Sequence, residues 1–449
     1  MKKTVLSLFV LAALGLDSMA QVTPPSSAFW TSQATGFATP SRGIRDIDIT
    51  SPTNAWAITY DGSGGQALSQ DFTRTVNGGT TWTPGSVASA APGYAFSNIS
   101  AVDANTAWIA LYNNATGSGG RVLKTTDGGA TWTQQAATAF TNSASFLNIV
   151  HMFDANNGWL QGDPANGYFE MYTTTNGGTT WTRVPQANIP APVSGEFGTV
   201  DVYTTVGNNI IYFGTNKGRV FKSTDAGLTW TITGTTNLTR ISNLAFSSPT
   251  EGLITEGSDL MRTTDGGATW TPVQYTGIMY TNDIAFVPGT GNTYVTTGAA
   301  TGVSGSSYST NGGQTWIDYD NGLQRTALDF FSPTVGFAGG FNTDATTNGI
   351  FKFNGTVATG LSNTEFSKNL NIFPNPGNGI LNIQLEKTNG SPVSLTLSDA
   401  LGRQVYTQKE AAPAGAFNKQ LELHNLPKGV YMLQVQTGDN MSVRKIVID

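Results

Sequence analysis

Apolar and polar residues alternate along most of this chain in short runs that turn-forming residues separate. One arrangement recurs, in which an alternating run is followed by a polar turn and then by a small residue before an aromatic or aliphatic one. Alternation with a period of two is typical of half-buried β-strands. The pattern therefore predicts seven similar β-sheet units, which contain residues 47–56, 99–108, 149–159, 200–212, 244–253, 284–294 and 330–337.

An eight-residue segment, Thr-Thr-Asp-Gly-Gly-Ala-Thr-Trp at residues 125–132, has five further close copies. Neighbouring copies lie 40 to 50 residues apart, a period typical of four-stranded propeller blades. An Asp or Asn side chain can accept hydrogen bonds from nearby backbone N–H groups, and Gly adopts the positive φ of a tight hairpin. We predict a hairpin turn at each copy, with Trp packed between units: Asn77 and Trp82, Asp127 and Trp132, Asn176 and Trp181, Asp225 and Trp230, Asp265 and Trp270, Asn311 and Trp316.

The two ends of the repeat region complement each other. Residues 29–34 resemble residues 131–136, the Trp and its following strand, but no turn segment precedes them. The seventh unit lacks the opposite part, because its repeat stops after a third strand at residues 349–353. We predict that the strand containing Trp30 completes the seventh unit and so closes a ring without open sheet edges.

The repeated turn segment resembles the Asp-box, or BNR, repeat of sialidase-like β-propellers. The predicted propeller, with seven units of which six carry the turn, also resembles the Ycf48-like photosystem assembly factors, a family that shows that this scaffold can act purely as a binder. These resemblances imply a seven-bladed β-propeller over residues 21–355. In the Asp-box family the repeat is a structural turn, so Asp127, Asp225 and Asp265 are expected to hold turns together and not to catalyse a reaction.

The N-terminus has the pattern of a secretory signal peptide. Lys2 and Lys3 precede an apolar run at residues 5–16, and Ser18-Met19-Ala20 supplies small residues at a cleavage site, which predicts a signal peptide over residues 1–20. No later segment approaches the ~18 consecutive apolar residues of a membrane-spanning helix. The chain has no cysteine, which excludes disulfides and thiolate metal sites. We expect an exported protein without a transmembrane segment.

The C-terminal part follows a different pattern. Residues 356–366 lose the repeat and are predicted to be a linker. Residues 367–449 contain six alternating runs between residues 380 and 448, which predict a small Ig-like β-sandwich and make the whole chain all-β.

This module resembles the C-terminal sorting domain of the type IX secretion system of Bacteroidota, through motifs that include Pro374, Asn375, Pro376, Gly402, Gly429, Tyr431 and Lys445. The resemblance implies recognition by the type IX machinery and delivery through the periplasm to the cell surface or the medium. An Ig-like carbohydrate-binding module is the alternative.

Charge and residue usage narrow the chemistry. Residues 22–360 contain 13 Lys and Arg against 21 Asp and Glu, a net charge of −8, whereas nucleic-acid binding needs clustered positive charge. Only two His occur, His151 and His424, and no phosphate-binding loop is present. A calcium loop at residues 318–329 fails because Leu323 occupies the position that requires Gly. We expect no cofactor, no metal and no nucleic-acid partner.

A secreted glycoside hydrolase, sialidase-like or polysaccharide-degrading, is the alternative function. The resemblance to sialidases implies that such a site would need three arginines around the substrate carboxylate, a Tyr paired with a Glu as the nucleophile, and an Asp as the acid catalyst. Three arginines precede first strands of units, although in different registers: Arg45, Arg240 and Arg325. Five carboxylates are candidates for a two-carboxylate mechanism, but their spacing singles out no pair: Asp46, Asp48, Asp163, Asp201 and Glu196.

The blade topology predicts where a ligand would bind. The turn segment joins the third and fourth strands, so the second-to-third and blade-to-blade connections lie on the opposite face. In the first three units these connections are long and carry polar and aromatic residues of the kind that line saccharide or peptide sites. We predict a non-catalytic protein that binds a glycan or protein partner through Arg45, Asp61, Tyr94, Tyr112, Asp163, Tyr168 and Glu196. Solvated loops without a ligand are the alternative.

Overall fold

The computed structural model describes residues 29–65, 67–355, 357, 369–389, 392–399, 404–412, 414–437 and 440–449. The chain divides into two compact units, Met1–Val357 and Ala358–Asp449. The predicted signal peptide lies outside the described residues, and so does the predicted linker except for Val357, which is fully buried in the first unit. In the described part of the chain, no helix is long and apolar enough to span a membrane.

The described part of the first unit consists of β-strands and one 3₁₀ helix at Gln186–Asn188. The strands are β1 (Trp30–Ala34), β2 (Arg42–Ile49), β3 (Ala55–Asp61), β4 (Asp71–Thr75), β5 (Thr83–Ser86), β6 (Tyr94–Ala101), β7 (Ala107–Asn113), β8 (Ser118–Thr125), β9 (Thr133–Gln135), β10 (Leu147–Met152), β11 (Gly158–Ala165), β12 (Tyr168–Thr174), β13 (Thr182–Arg183), β14 (Gly198–Val206), β15 (Ile210–Thr215), β16 (Val220–Ser223), β17 (Thr231–Ile232), β18 (Asn243–Phe246), β19 (Gly252–Glu256), β20 (Asp259–Thr263), β21 (Thr271–Pro272), β22 (Asp283–Phe286), β23 (Tyr294–Ala300), β24 (Val303–Ser309), β25 (Ile317–Asn321), β26 (Leu328–Ser332), β27 (Val335–Asp344) and β28 (Thr347–Phe353).

These strands form antiparallel groups of four. Six groups follow chain order, from β2–β5 to β22–β25. In a further group β26, β27 and β28 are completed by β1, so that Trp30 lies opposite Phe353 as the sequence predicts. The pairing of Gly43 with Phe341 connects this group to β2, which is why the two groups form one eight-stranded sheet.

The first strands of the groups touch one another in a closed ring. β2 contacts β6, β6 contacts β10, and the series continues through β14, β18, β22 and β26 back to β2. We call these seven strands the inner strands. Because this ring is closed and β1 pairs with β28, the first unit is a β-propeller. Neighbouring groups share apolar clusters.

The contact between the first and last strands of the propeller, β1 and β28, is packed around Trp30, which is 1% exposed. Its indole Nε1–H donates to Ser306 Oγ at 2.9 Å, and its ring makes an edge contact with Phe353 at 5.2 Å between centroids. The Arg325 guanidinium lies 5.2 Å from the Trp30 ring and forms an ion pair of 2.5 Å with Asp320. The N-terminal strand is therefore held by packing and polar contacts in addition to its sheet pairing.

The second unit is a two-sheet sandwich. Its strands are β29 (Leu370–Phe373), β30 (Ile380–Asn389), β31 (Val393–Asp399), β32 (Gln404–Glu410), β33 (Ala414–Glu422), β34 (Gly429–Thr437) and β35 (Asn440–Ile448). One sheet has the order β29-β30-β33 and the other β32-β31-β34-β35. Alternating side chains of both sheets, such as Leu381 and Leu433, form its buried core. All six predicted runs correspond to strands, and β29 is an additional one.

Candidate functional site

The six repeated turns use their Asp or Asn side chains internally. In the copy at residues 125–132, Asp127 Oδ1 accepts a hydrogen bond from Thr131 N at 2.9 Å and from Thr125 Oγ1 at 2.8 Å. Thr125 Oγ1 in turn accepts from Gly129 N at 2.9 Å, and Gly128 and Gly129 have φ of 74° and 85°. The same pattern occurs at Asn77, Asn176, Asp225, Asp265 and Asn311. These groups close hairpins, as predicted.

Hydrogen bonds to Thr131 and Thr125 lower the pKa of the Asp127 carboxyl to about 2. Corresponding bonds lower the pKa of Asp265 to about 2. A carboxylate held in this way is a poor proton donor near neutral pH. The electrostatics of the turns thus agree with a structural role.

A second set of carboxylates links the inner strands. Asp46 Oδ2 accepts from Ile99 N at 2.9 Å and Asp48 Oδ2 from Ala101 N at 2.6 Å, both from β2 to β6. Similarly, Asp283 of β22 accepts from Leu328 N, and Asp329 of β26 accepts from Ile49 N. Inner strands lie side by side without forming a ladder, so their facing N–H groups need other partners. These side chains supply them.

Burial between the inner strands raises the pKa values of these carboxyl groups. Burial raises the pKa of Asp48 to about 6, of Asp283 to about 7 and of Asp329 to about 8. Burial first, and then the charge of Asp48, raises the pKa of Asp46 well above its ordinary value. In the described residues, no group of three or more His, Asp or Glu side chains is arranged to hold a metal ion.

A polar cavity of about 750 Å³, which we call the axial cavity, opens where the inner strands begin. Its wall includes Arg45 of β2, Asp201 of β14, Arg240 before β18 and Asp283 of β22. The ends of the second strands β3 and β7 complete it through Tyr60, Asp61 and Tyr112. Because the repeated turns follow the third strand of each group, the cavity lies on the opposite face of the propeller.

A bulge in β14 brings Asp201 to this cavity. The pairing of β14 with β15 shifts register between Gly198 and Tyr203, and Asp201 has φ +60°, in the left-handed region. The consecutive residues Val200, Asp201 and Val202 all line the cavity, which a regular strand would not allow. Burial and the charge of Asp46 raise the pKa of Asp201, while Arg45 lowers it.

Three of the seven predicted ligand-binding residues lie at the axial cavity: Arg45, Asp61 and Tyr112. The Asp61 carboxylate is occupied by its own loop, because it accepts from Ser63 N at 3.1 Å and Ala67 N at 2.7 Å. Arg45 Nε donates to Ser97 O at 2.9 Å. Asp61 therefore shapes the loop that forms one wall.

The other four predicted residues lie elsewhere. Asp163 is 2% exposed and accepts from Asn148 Nδ2 at 2.9 Å, and Glu196 is 5% exposed and paired with Arg219 at 2.5 Å. Arg183 covers the Tyr168 ring at 4.5 Å. Tyr94 lines a different, smaller cavity. Burial removes Asp163 and Glu196 from the proposed site, because their carboxylates bind groups of the protein.

The three arginines of a sialidase-like site do not meet. Arg45 and Arg240 line the axial cavity, but the Arg325 side chain is buried and pairs with Asp320 beneath Trp30. Sequence reasoning also gave no role at this cavity to Tyr60 or Asp283. The available signal was their position in the units: Asp283 begins an inner strand and Tyr60 lies near the end of a second strand. These parts of all units meet on one face.

In the sorting module, the motif residues organise the strand ends. Asn375 Oδ1 accepts from Val447 N at 2.9 Å, and Asn375 Nδ2 donates to the carbonyl of Lys445 at 2.6 Å. Tyr431 Oη donates to Pro427 O at 2.6 Å. Gly402 lies outside the described residues.

The closed ring of four-stranded groups defines the first unit as a β-propeller. Residues 112–244 match the family described as photosynthesis system II assembly factor YCF48, and residues 371–449 match the secretion system C-terminal sorting domain. The chain therefore combines a Ycf48-like β-propeller with a type IX sorting domain, which indicates secretion or export to the cell surface.

Among solved structures, YCF48 from Cyanidioschyzon merolae has the same fold and is 19% identical, with a TM-score of 0.54 over 73% of this chain and 99% of that chain. YCF48 bound to D1 peptide is 18% identical, with a TM-score of 0.48 over 73% of this chain and 97% of that chain. The GH74 xyloglucanase from Xanthomonas campestris is 11% identical, with a TM-score of 0.30 over 92% of this chain and 70% of that chain. No curated protein matches the chain.

Proposed function

We propose that this protein is an exported, non-catalytic, seven-bladed β-propeller that binds a glycan or protein partner through the axial cavity. Residues 1–20 would act as the signal peptide, and the type IX machinery would deliver the chain to the outer surface or the medium. The observation that carries the proposal is the cavity itself, which is open, of ligand size and lined by charged, amide and aromatic side chains.

Binding without catalysis is supported by what the carboxylates already do. The turn carboxylates hold hairpins, and Asp46, Asp48 and Asp329 accept backbone N–H groups of neighbouring inner strands. Arg325, the third arginine that a sialidase-like site would need, pairs with Asp320. The match of residues 112–244 to a family described as photosynthesis system II assembly factor YCF48 also supports a binding role.

The test compares cavity variants of the full chain in binding to a glycan panel and to surface-protein extracts. Arg240→Gln removes a cation that lines the cavity, and Asp201→Asn replaces a carboxyl group there by an amide. Arg240→Gln is expected to weaken binding about tenfold or more, because charge-assisted hydrogen bonds are the strong ones. Asp201→Asn is expected to weaken binding because an amide does not offer the same hydrogen-bonding groups as a carboxyl. Lys217→Gln, which removes an exposed cation outside the cavity, is the matched control.

Unchanged binding of every ligand by both cavity variants would contradict the proposal. Release of sugar from any glycan by the wild-type chain, lost in Asp201→Asn or Asp283→Asn, would establish the hydrolase alternative, since both carboxylates line the cavity.

A further inference from the structure

A second cavity of about 360 Å³ lies beside the start of β8. Tyr94, Arg121, Asn113, Gln134, Phe140 and Asn142 are among its lining residues, and we call it the side groove. It shares Thr116 with the axial cavity but none of the charged residues there. No acidic residue is among the described residues that line it. In a protein of net charge −6, this is an unusual electrostatic environment.

Arg121 is the only charged residue among the described residues that line the groove, and it differs from most arginines of the propeller. Five others form ion pairs with carboxylates: Arg42 with Asp71, Arg183 with Glu170, Arg219 with Glu196, Arg262 with Glu251 and Arg325 with Asp320. In the part of the chain that the structure describes, no carboxylate or hydrogen-bond acceptor partners the Arg121 side chain. Its guanidinium N–H groups are therefore available to a ligand.

The Tyr94 ring holds Arg121 in place. The guanidinium carbon lies 4.2 Å from the centroid of this ring, close enough for a cation–π contact. A stacked guanidinium loses less freedom when it binds an anion, and its planar fork matches the two oxygens of a carboxylate or sulfate. The groove thus presents an oriented anion-binding group.

The remaining wall favours a hydroxyl-rich ligand over a peptide. Its side chains are mostly short hydroxyls and amides, from Ser118, Thr141, Ser143, Asn113 and Gln134. Such groups both donate and accept, as the hydroxyls of a sugar require. Apolar side chains that could hold a peptide anchor are few, and the largest, Phe140, is only 2% exposed.

We propose that the side groove binds an anionic saccharide, a sugar that carries a carboxylate or a sulfate ester, through Arg121 stacked on Tyr94. The groove is a second subsite, and its role does not depend on the ligand of the axial cavity. The side groove recognises the anionic group of its ligand, and the axial cavity can bind another part of the same glycan or a different partner.

Calorimetric titration of the full chain tests this with four probes. Penta-galacturonate and its neutral methyl ester form one pair, and sulfated dextran and dextran form the other. The wild-type chain is expected to bind at least one anionic probe and to bind it more tightly than its neutral counterpart. Arg121→Gln is expected to weaken that binding about tenfold or more, and Arg121→Lys to restore it only in part, because Lys lacks the planar fork.

Three controls distinguish binding at Arg121 from binding elsewhere on the protein and from a loss of folding. Lys217→Gln removes the same charge elsewhere and should leave binding unchanged. The melting temperature of Arg121→Gln should fall by no more than a few degrees, because the contact that the variant loses within the described residues is the stacking on Tyr94. Arg240→Gln tests the axial cavity, so loss in that variant alone would support the proposed function and overturn this inference. Binding of none of the probes, wild-type affinity in Arg121→Gln, or stronger binding of polyglutamate than of either anionic glycan would also overturn it.

Discussion

At the scale of single residues, the repeated turns occur in two chemical versions with one geometry. Asn77 Oδ1 accepts from Thr81 N at 2.9 Å, as Asp127 Oδ1 does from Thr131 N. Asn77 Nδ2 donates to Thr81 Oγ1, whereas Asp127 Oδ2 accepts from Thr131 Oγ1. The threonine hydroxyl can act as donor or acceptor, so it fits either side chain. Asp and Asn are therefore interchangeable in shape but not in titration.

This difference predicts how acid affects the propeller. The pKa of Asp127 and Asp265 is about 2 in the folded protein, below the ordinary value, so their stabilisation is present above about pH 4 and is lost as the pH falls towards 2. The triple variant Asp127→Asn, Asp225→Asn, Asp265→Asn should lose less stability over this interval than the wild type. Thermal unfolding at a series of pH values measures this loss of stability in both proteins.

The reciprocal variant Asn311→Asp should make the protein more sensitive to acid, because it adds a carboxylate to the same turn geometry. Equal acid dependence in all three proteins would show that the turn carboxylates do not stabilise the fold through their ionised form.

The inner-strand carboxylates predict the opposite dependence. Burial raises the pKa of Asp48 to about 6 in the folded protein, above its ordinary value. Its contribution is therefore most favourable below about pH 4 and declines as the pH rises through 6. Asp48→Asn can still accept from Ala101 N through its amide oxygen. We expect this variant to lose less stability than the wild type between pH 4 and 7, as urea unfolding at each pH would measure.

Other carboxyl groups that face the same ring, Asp46, Asp201, Asp283 and Asp329, also have raised pKa values, so the slope should decrease without vanishing. A variant with a steeper loss of stability towards neutral pH would indicate that the bond to Ala101 requires the ionised carboxylate.

At the scale of elements, the closure strand β1 has most of its packing concentrated in one side chain. Trp30→Ala removes a buried indole, its bond to Ser306 and its contacts with Phe330 and Phe353. Replacing a buried aromatic side chain by Ala costs about 3 to 5 kcal/mol of unfolding free energy. We expect a loss in this range from urea unfolding, with a smaller loss for Trp30→Phe.

The exposed Ile317 of the outer strand β25 supplies the control. Ile317→Ala should change the unfolding free energy by less than about 0.5 kcal/mol. A Trp30→Ala loss of similar size would mean that sheet pairing alone closes the propeller.

The elements also show why the sequence predicted the fold better than the site. Strand alternation, the repeated turn and the strand of Trp30, which no turn segment precedes, are local signals, and the structure agrees with each. The site depends on departures from regularity. The bulge that turns Asp201 to the cavity breaks the alternation, and Asp163 and Glu196 look like loop carboxylates in sequence although partners such as Asn148 and Arg219 hold them inside. Such pairings are set by distant residues, so spacing along the chain does not report them.

At the scale of the whole molecule, folding and export are expected to separate between the two units. The first unit, Met1–Val357, has its own closed ring and cores, and the sorting module has its own sandwich core. Removal of residues 358–449 should therefore leave the melting temperature of the propeller unchanged. The match at residues 371–449 to a secretion sorting domain predicts that the shortened chain accumulates in the periplasm.

Cell fractionation of the natural host measures this, with full-length Lys217→Gln as the control for an altered but intact chain. Appearance of the shortened chain at the cell surface or in the medium would show that the propeller carries its own export signal. A fall in the melting temperature of the shortened chain would show instead that the sorting module stabilises the propeller. Loss of export could then result from loss of stability.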